Sequence, residues 1–421
     1  MAALARKRHG LDVKQLLRAL RNRNYRLFFI GQGASLVGTW MQQVAVSWLI
    51  YRLTGSVFLL GLYGFLNQIP SFFLGPVAGV LADRWNRHTL LFITQALSMV
   101  QAFTLAVLTL TETVAVGQVM TLGFCLGLIN ALDHPVRQSF VVDMVESKED
   151  LPNAIALNST IFNGARLVGP AVAGGLIVVV GEGMCFLINA LSYGAVLAAL
   201  GAMRVRPVTK MGLEAAHFWQ RLWEGFNYAF GSVPIRSILM LLGVISLAGL
   251  PFTQLMPVFA TDVLEGGAPT LGYLMSALGL GALMGAFYMA ARPDVEGLGR
   301  VLLFAAVLFS GGLMAFAWSH HLWLSLMMLV ATGFGMLLYT SSSNTLLQTL
   351  VDNDKRGRVM SLYAMALLGM APMGSLLHGE LAEMIGAPGT LTLGGAIGVV
   401  GALVFGPRLL HLGDKDKPKG V

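Results

Sequence analysis

The feature that most constrains the fold is a series of apolar segments, each about as long as a helix that crosses a bilayer. Twelve such segments follow one another along the 421 residues, and short polar links separate them. Because a helix satisfies its own backbone hydrogen bonds in lipid, the pattern predicts an all-α membrane protein with twelve transmembrane helices. The predicted segments are 27–51, 57–82, 89–110, 115–142, 154–180, 184–203, 236–260, 270–291, 300–318, 322–343, 358–378 and 389–406.

The composition also favours lipid over water as the surroundings of this chain. Hydrophobic residues make up 56% of the sequence and charged residues 12%, whereas soluble domains carry roughly 25% charged residues. The two cysteines, Cys125 and Cys185, lie inside apolar segments. They therefore predict neither a disulfide framework nor a metal site.

The placement of lysine and arginine predicts how the chain is oriented. If the N-terminus is cytoplasmic, only Arg52 and Arg166 of the 28 Lys and Arg residues lie outside the inner links and termini. Cytoplasmic segments are rich in these two residue types, so we predict a multi-pass protein of the inner (plasma) membrane with both termini in the cytoplasm. The net charge of +7 then faces the lipid bilayer, and nucleic acid is not expected as a partner.

The longest inner link divides the chain into six segments before it and six after it. Within this link, Phe218, Leu222, Phe226 and Phe230 recur at a spacing near four, which predicts an amphipathic helix at the membrane surface. The alternative is that these residues begin the next span. The predicted regions are a basic cytoplasmic N-terminus (1–26), a first six-helix bundle (27–203), a cytoplasmic linker (204–235), a second six-helix bundle (236–406) and a cytoplasmic tail (407–421).

A charged motif stands at the end of the second segment, in the sequence "GVLADRWNRH" (79–88). It resembles the loop between the second and third helices of the major facilitator superfamily, and Gly79, Asp83, Arg84 and Arg87 match that pattern. Asn86 stands where the pattern has glycine, and we interpret it as a residue that tolerates positive φ. The resemblance implies two pseudo-symmetric six-helix bundles.

The motif also has a physical interpretation as a cytoplasmic gate. The eleventh segment begins near Arg356 and Arg358 on the same membrane face, and a carboxylate at a helix N-terminus contributes ~0.3–2 kcal/mol. We therefore expect Asp83 to dock on that helix end, with Arg84 and Arg87 beside it. The alternative is an ordinary basic inner loop.

Charged residues inside the predicted spans are costly, so they require partners. Arg166 in the fifth segment and Asp133 in the fourth lie at similar depths, and this predicts an ion pair between them. Arg137 stands one turn from Asp133, and Pro135 between them is expected to kink the helix. A structural ion pair, a coupling element and a direct substrate contact all remain open for this cluster.

A polar stripe on the first segment predicts a central cavity. Gln32, Ser35, Thr39 and Gln42 recur on one helix face, and burial in lipid would leave them unsatisfied. Their mixture with Trp40 and several methionines suits an amphipathic small molecule, and hydrogen bonding between helices is the alternative. Further residues predicted for the cavity are Asn67, Asn130, Asn163, Gln254 and Tyr339.

Two longer stretches point to one branch of the superfamily. "DHPVRQSFVVDMV" (133–145) and "GMAPMGSLLHGELAEMIGA" (369–387) resemble the exporters of macrolides and of the siderophore enterobactin. "GPAVAGG" (169–175) is similar to the antiporter signature Gly-Pro-x-x-Gly-Gly, with Ala173 as a departure from it. The resemblance implies drug–proton antiport, whereas small residues such as Gly169, Pro170 and Gly174 are also typical of close helix packing.

The sequence therefore predicts a secondary active transporter that exports hydrophobic or amphipathic small molecules, with protons as the coupling ion. Alternatives are a lysophospholipid or other lipid transporter, or a sensor or assembly subunit without transport. No nucleotide-binding loop and no nucleophile–base or metal-ligand grouping is found. We accordingly expect no enzyme activity, no cofactor and no metal, and a monomeric protein.

Overall fold

In the computed structural model, the regular structure is helical and includes no strand across the described residues 17–145, 147, 149–204, 218–292 and 295–410. The side chains of 76–84 and 218–222 lie outside this description. Nine helical stretches of the described chain are long and apolar enough to cross a membrane. Two of these stretches, Leu151–Ala202 and Arg356–Arg408, contain 52 and 53 residues, which is twice the length of one crossing.

Single glycines divide both of these double-length stretches. Gly181 (φ 78°, ψ 173°) and Gly386 (φ 76°, ψ 160°) adopt a backbone conformation that side chains with a Cβ rarely tolerate. Each glycine separates two predicted spans, so each stretch forms a helical hairpin whose turn lies at the side predicted to face outward. The first helix, Arg23–Thr54, is not among the nine stretches and carries the polar stripe.

With these divisions, the twelve predicted segments correspond to twelve helices, which we label α1 to α12. Their bounds are Arg23–Thr54 (α1), Val57–Arg84 (α2), Arg87–Leu110 (α3), Val116–Met144 (α4), 151–180 (α5), 182–202 (α6), Val233–Val263 (α7), Ala268–Ala291 (α8), Leu298–Ala317 (α9), Leu322–Leu350 (α10), 356–385 (α11) and 387–405 (α12).

Two helix pairs join the first six helices to the last six. The α2 and α11 backbones approach closely at Gly61 and Gly379, and α5 and α8 do so at Gly174 and Gly272. Glycine permits these approaches because a Cβ at Gly61 would lie 2.7 Å from the Gly379 Cα. Most other helix contacts stay within one group of six, so the molecule consists of two bundles with a limited shared interface.

α7 is irregular along its outer half. An α-helical part, Val233–Ala248, is followed by a 3₁₀ part, Leu250–Leu255, and a π-helical turn, Phe259–Val263. Pro251 and Pro257 lie in this region, and each lacks the N–H that a regular α-helix needs. As a result, the Gln254 side chain contacts Gly64 of α2, so this irregular part of α7 also meets the first bundle.

A linker helix, Phe218–Gly231, lies between the bundles in sequence, where the amphipathic pattern predicts it. It packs against the beginning of α11 and the link before it: Glu224 forms an ion pair with Arg358 of α11 (2.8 Å), and the Tyr228 hydroxyl donates to Asp352 Oδ2 in the α10–α11 link (3.1 Å). Phe226 stacks on Phe230 with ring centroids 4.1 Å apart. The linker helix is therefore fixed to the second bundle at the end that the sequence predicts to be cytoplasmic.

Candidate substrate path and gates

Asp133 is the carboxylate that lies deepest in the described spans, and it is 1% exposed. Its Oδ1 accepts hydrogen bonds from Thr94 Oγ1 and Gln95 Nε2 of α3, both at 2.7 Å. Its Oδ2 is paired with the Arg137 guanidinium, one turn further along α4. Four polar side chains thus form a compact buried cluster inside the first bundle.

The predicted ion pair between Asp133 and Arg166 is wrong for this structure. Arg166 lies within salt-bridge distance of no described carboxylate, and Arg137 occupies the place expected for it. The prediction assumed that consecutive helices are neighbours, but α4 packs mainly against α2 and α3, whereas α5 packs against α1 and α8. A residue on the same helix therefore pairs with Asp133 in place of one on the next helix.

Arg166 instead lies where the two bundles meet. Its Cζ is 5.4 Å from the centroid of the Trp40 ring on α1, and its Nη2 is 3.7 Å from the Met336 sulfur on α10. Its backbone contacts Gly279 of α8. The side chain is half-buried, so a cation at mid-membrane depth is surrounded by an aromatic face and a thioether.

The polar stripe of α1 faces partly into the first bundle. Gln42 donates to Gln101 Oε1 (3.1 Å) and accepts from Asn189 Nδ2 (2.7 Å), which commits it to hydrogen bonds between α1, α3 and α6. This bonding between helices is the alternative given for the polar stripe, and a place for Gln42 in a central cavity stays a prediction. Ser35 and Gln32 are buried on the same face, and Ser35 Oγ and Gln32 Oε1 have no partner.

The remaining predicted cavity residues fall into two groups. Asn163 donates to the Ser159 carbonyl (2.8 Å) and exposed Thr39 donates to the Ser35 carbonyl (2.9 Å), each within its own helix, whereas Asn67 of α2 donates to the Gly123 carbonyl of α4 (2.9 Å). The second group makes no side-chain hydrogen bond to the described residues and consists of Asn130, Gln254 and Tyr339. The Tyr339 hydroxyl is fully buried without a partner, which marks it as a group that another polar atom would satisfy.

Gly169, Pro170 and Gly174 lie where α5 crosses two neighbouring helices. A Cβ at Gly169 would lie 2.6 Å from the Trp40 Cβ, and one at Gly174 would lie 3.0 Å from the Ala268 carbonyl oxygen. The Pro170 carbonyl oxygen lies 2.7 Å from a Cβ placed at Gly272. These small residues therefore permit the close approach of α5 to α1 and α8.

The predicted cytoplasmic gate is described only in part. Gly79, Asp83 and Arg84 lie on α2, and their side chains are outside the described residues. Arg87 forms an ion pair with Asp143 of α4 (3.2 Å), so it joins two helices of one bundle. At the other side of the predicted gate, Arg356 is exposed and Arg358 is bound to Glu224 of the linker helix.

The interpretation of Asn86 in that motif is wrong. Its φ is −67°, and its side-chain oxygen accepts from the backbone N–H groups of His88 (2.9 Å) and Thr89 (3.3 Å). Asn86 is thus the N-cap of α3, a position that asparagine favours because it satisfies free donors at the helix start. No positive φ is needed there.

At the ends predicted to face outward, called the outer ends below, polar contacts join the two bundles directly. The Tyr51 hydroxyl on α1 donates to Asp262 Oδ2 on α7 (2.5 Å). Glu383 near the end of α11 accepts from Ser56 Oγ (3.0 Å) and from the backbone N–H of Phe58 (3.2 Å) at the beginning of α2. Together with the α2–α11 and α5–α8 crossings, these contacts hold the outer ends of the bundles together.

The sequence does not predict these outer contacts, because no motif or spacing marks a carboxylate of one bundle as the partner of a donor in the other. A further carboxylate, Glu182, pairs with Arg52 Nε (2.7 Å). One feature of the sequence indicates the Arg52–Glu182 pair: Arg52 is one of two basic residues away from the predicted inner face, and Glu182 stands in a predicted outer link. Within the described ranges, no group of three or more His, Cys, Asp and Glu residues has the geometry of a metal site.

The chain is similar to known membrane transport proteins over nearly its whole length. Residues 15–417 match the family model described as "Transmembrane secretion effector". The Staphyloferrin A transporter of Staphylococcus aureus is 24% identical over 90% of this chain and 94% of its own length. Macrolide efflux protein A of Streptococcus pyogenes is 22% identical over 89% and 93%, and the enterobactin exporter EntS of Shigella boydii is 25% identical over 92% and 91%.

A solved structure of a POT family transporter in complex with a thioalcohol-conjugated peptide has the same fold. Its TM-score is 0.70 at 12% sequence identity, and the match covers 92% of this chain and 96% of that one. At this level of identity, the likeness concerns the fold alone.

Proposed function

Because this chain belongs to the transmembrane secretion effector family of the major facilitator superfamily, we propose that it exports hydrophobic or amphipathic small molecules, such as drugs or siderophores. It is a transporter, and the predicted all-α major facilitator fold is confirmed. We further propose that this export is coupled to protons and proceeds by alternating access. The protein would be a monomer in the inner membrane, with both termini in the cytoplasm. The relatives support export, since their names are those of a siderophore transporter, a macrolide efflux protein and an enterobactin exporter.

The observation that carries alternating access is the set of polar contacts across the outer ends. Tyr51 with Asp262, and Glu383 with the beginning of α2, close the outer side through a few hydrogen bonds between bundles. A net contribution of ~0.5–1.5 kcal/mol per hydrogen bond makes such a seal easy to open and close. This favours a movement in which the bundles separate on one side and close on the other.

On the cytoplasmic side, the proposed gate is formed by the motif at the end of α2 and the beginning of α11. Asp83, with Gly79 giving room and with Arg84 and Arg87 beside it, would dock on the N-terminal end of α11 near Arg356 and Arg358. The linker helix holds Arg358 through Glu224. Closure at this end therefore involves the linker helix as well as the two bundles.

For proton coupling, the proposed element is the Asp133–Arg137 pair. Asp133 is the one carboxylate at mid-membrane depth in the described spans, and Arg137 sits on the same helix. Protonation of Asp133 would release Arg137 and weaken the bonds from Thr94 and Gln95, which links proton binding to the packing of α3 and α4. An unpaired charge in lipid is costly, so a change in the charge of Asp133 must be accompanied by a change in the surroundings of Arg137.

The experiment is transport by the purified chain in proteoliposomes, with a panel of macrolides, catechol siderophores and lysolipids. We expect movement of at least one amphipathic compound, faster under an imposed pH gradient. Asp133→Asn should abolish this acceleration and preserve exchange of the same compound without a gradient. Glu112→Gln is the matched control, because Glu112 is an exposed carboxylate of an outer link. No movement of any compound would refute export, and a full pH response in Asp133→Asn would refute the coupling role.

A further inference from the structure

Arg166 carries a positive charge to the meeting point of the two bundles, and the described part of the chain provides it with no anion. Its guanidinium lies against the Trp40 ring and the Met336 sulfur. The carboxylate predicted to neutralise it, Asp133, is already paired with Arg137. A cation in a span is costly, and a cation–π contact offsets only part of this cost.

Two hydroxyl groups without partners lie on the helices that contact Arg166. Ser276 stands on α8 between Gly272 and Gly279, which both contact α5, and Gly279 meets the Arg166 backbone. Tyr339 stands on α10, one turn from Met336. Both oxygens are buried and make no hydrogen bond. A hydroxyl can donate to an oxyanion, so the helices around the guanidinium carry further donors for a negative group.

The same region has an apolar wall. Trp40 contacts Phe162 edge to face, with ring centroids 5.7 Å apart, and Met336 completes the surface next to the guanidinium. Aromatic and thioether groups bind flat or irregular apolar surfaces. A ligand that binds the guanidinium, the hydroxyl donors and the apolar wall together therefore has an oxyanion at one end and a hydrophobic body.

We propose that Arg166 is a substrate-binding residue and that the exported compounds are amphipathic organic anions, with a carboxylate that pairs with its guanidinium. This inference rests on the proposed export function and narrows its substrate class. Arginine suits the role because it stays charged and binds a carboxylate through two parallel N–H donors. Trp40 belongs to the first bundle and Met336 to the second, so the bound anion would touch both bodies that move during transport.

The test uses three probes that share a pyrene group and a four-carbon chain: pyrenebutyrate, pyrenebutanol and pyrenebutylammonium. Their binding is measured on the full chain in phosphatidylcholine nanodiscs at neutral pH, with empty nanodiscs subtracted. We expect the carboxylate to bind about tenfold more tightly than the alcohol and the ammonium compound, as for a charge-assisted pair. Arg166→Gln should remove this preference, so that the three probes bind alike, and Arg166→Lys should retain part of it.

The matched control is Arg26→Gln, which removes one exposed cation at the cytoplasmic end of α1 and should leave the preference intact. Equal binding of the three probes, or a preference for the carboxylate that survives Arg166→Gln, would overturn the inference. Transport of the same probes into proteoliposomes separates it from the proposed function. Binding that depends on Arg166 without any transport would refute export alone, whereas transport that ignores Arg166 and probe charge would refute the anion site alone.

Discussion

Glu380 and Glu383 stand one helical turn apart on α11, and the structure gives them different roles. Glu383 accepts from Ser56 Oγ and from the Phe58 N–H, so a carboxylate of the second bundle caps the first turn of α2 in the first bundle. Glu380 is exposed and forms no hydrogen bond or ion pair with the described residues. The Glu383 carboxylate is stabilised in two ways, because it satisfies free donors and interacts with the positive end of the α2 helix.

Replacing Glu383 with alanine should therefore weaken the outer seal. Loss of a helix cap costs about 0.5–2 kcal/mol, so we expect the population open to the outside to rise by roughly two- to thirtyfold. The measurement is the rate at which a membrane-impermeant maleimide, added outside, labels a cysteine at Gln254 in a chain without Cys125 and Cys185. Glu380→Ala is the control. Equal labelling of the two alanine variants would show that the cap does not hold the outer side closed.

For single residues, the sequence predicts the important positions better than it predicts the residues that they contact. Asp133, Arg137 and Arg166 stand out because charges are rare in apolar segments, but choosing between Arg137 and Arg166 needs the helix neighbours. Asn86 shows the same limit. The motif locates the residue, and only its φ of −67° distinguishes a helix cap from a left-handed turn.

Among the elements, the α5–α8 crossing depends on residues without side chains. Gly174 faces Ala268 and Gly272 at distances that leave no room for a larger residue, whereas the neighbouring Gly175 has open space around its Cβ position. The sequence "GPAVAGG" contains Gly174 and Gly175 side by side. The departure from the antiporter signature at Ala173 does not indicate which of the two lies at the crossing. Helix phase, fixed by packing, makes the difference.

Gly174→Val and Gly175→Val should accordingly behave differently. Valine at 174 would push α5 and α8 apart, and overpacking of this kind costs about 1–3 kcal/mol. We expect a lower thermal unfolding midpoint and slower export for this variant. Valine at 175 should leave the thermal unfolding midpoint and the export rate near those of the wild type. The comparison is made by thermal unfolding in detergent and by proteoliposome transport, and similar losses in both variants would contradict a packing role for this one glycine.

The number and order of helices could be predicted from sequence because lipid enforces them. Twelve segments of sufficient length have few other solutions once every backbone group must be bonded within its own helix. The ends of the helices are less certain: α10 extends to Leu350 and α11 to 385, each seven residues beyond the predicted 343 and 378. Apolar patterns end where lipid ends, whereas helices continue into polar surroundings when other residues cap or contact them.

For the whole molecule, the distribution of contacts between the bundles decides which movements are possible. The described polar contacts between bundles lie at the outer ends, and the arginine that touches both bundles lies deeper. If the bundles rock about this interface, the outer contacts must break once in every transport cycle. A covalent link at the same place should then stop the cycle without affecting the fold.

This can be tested with cysteines at Ser56 and Glu383 in a chain without Cys125 and Cys185, joined by a short bis-methanethiosulfonate reagent. We expect the linked protein to keep binding substrate presented from the cytoplasmic side and to lose export, and a reducing agent to restore export. Each single-cysteine variant treated in the same way should remain active, which separates the link from the modification. Under the proposed alternating access, each cycle opens the outer side to release substrate. A linked protein that still exports at the full rate would therefore exclude movement of the bundles about this contact.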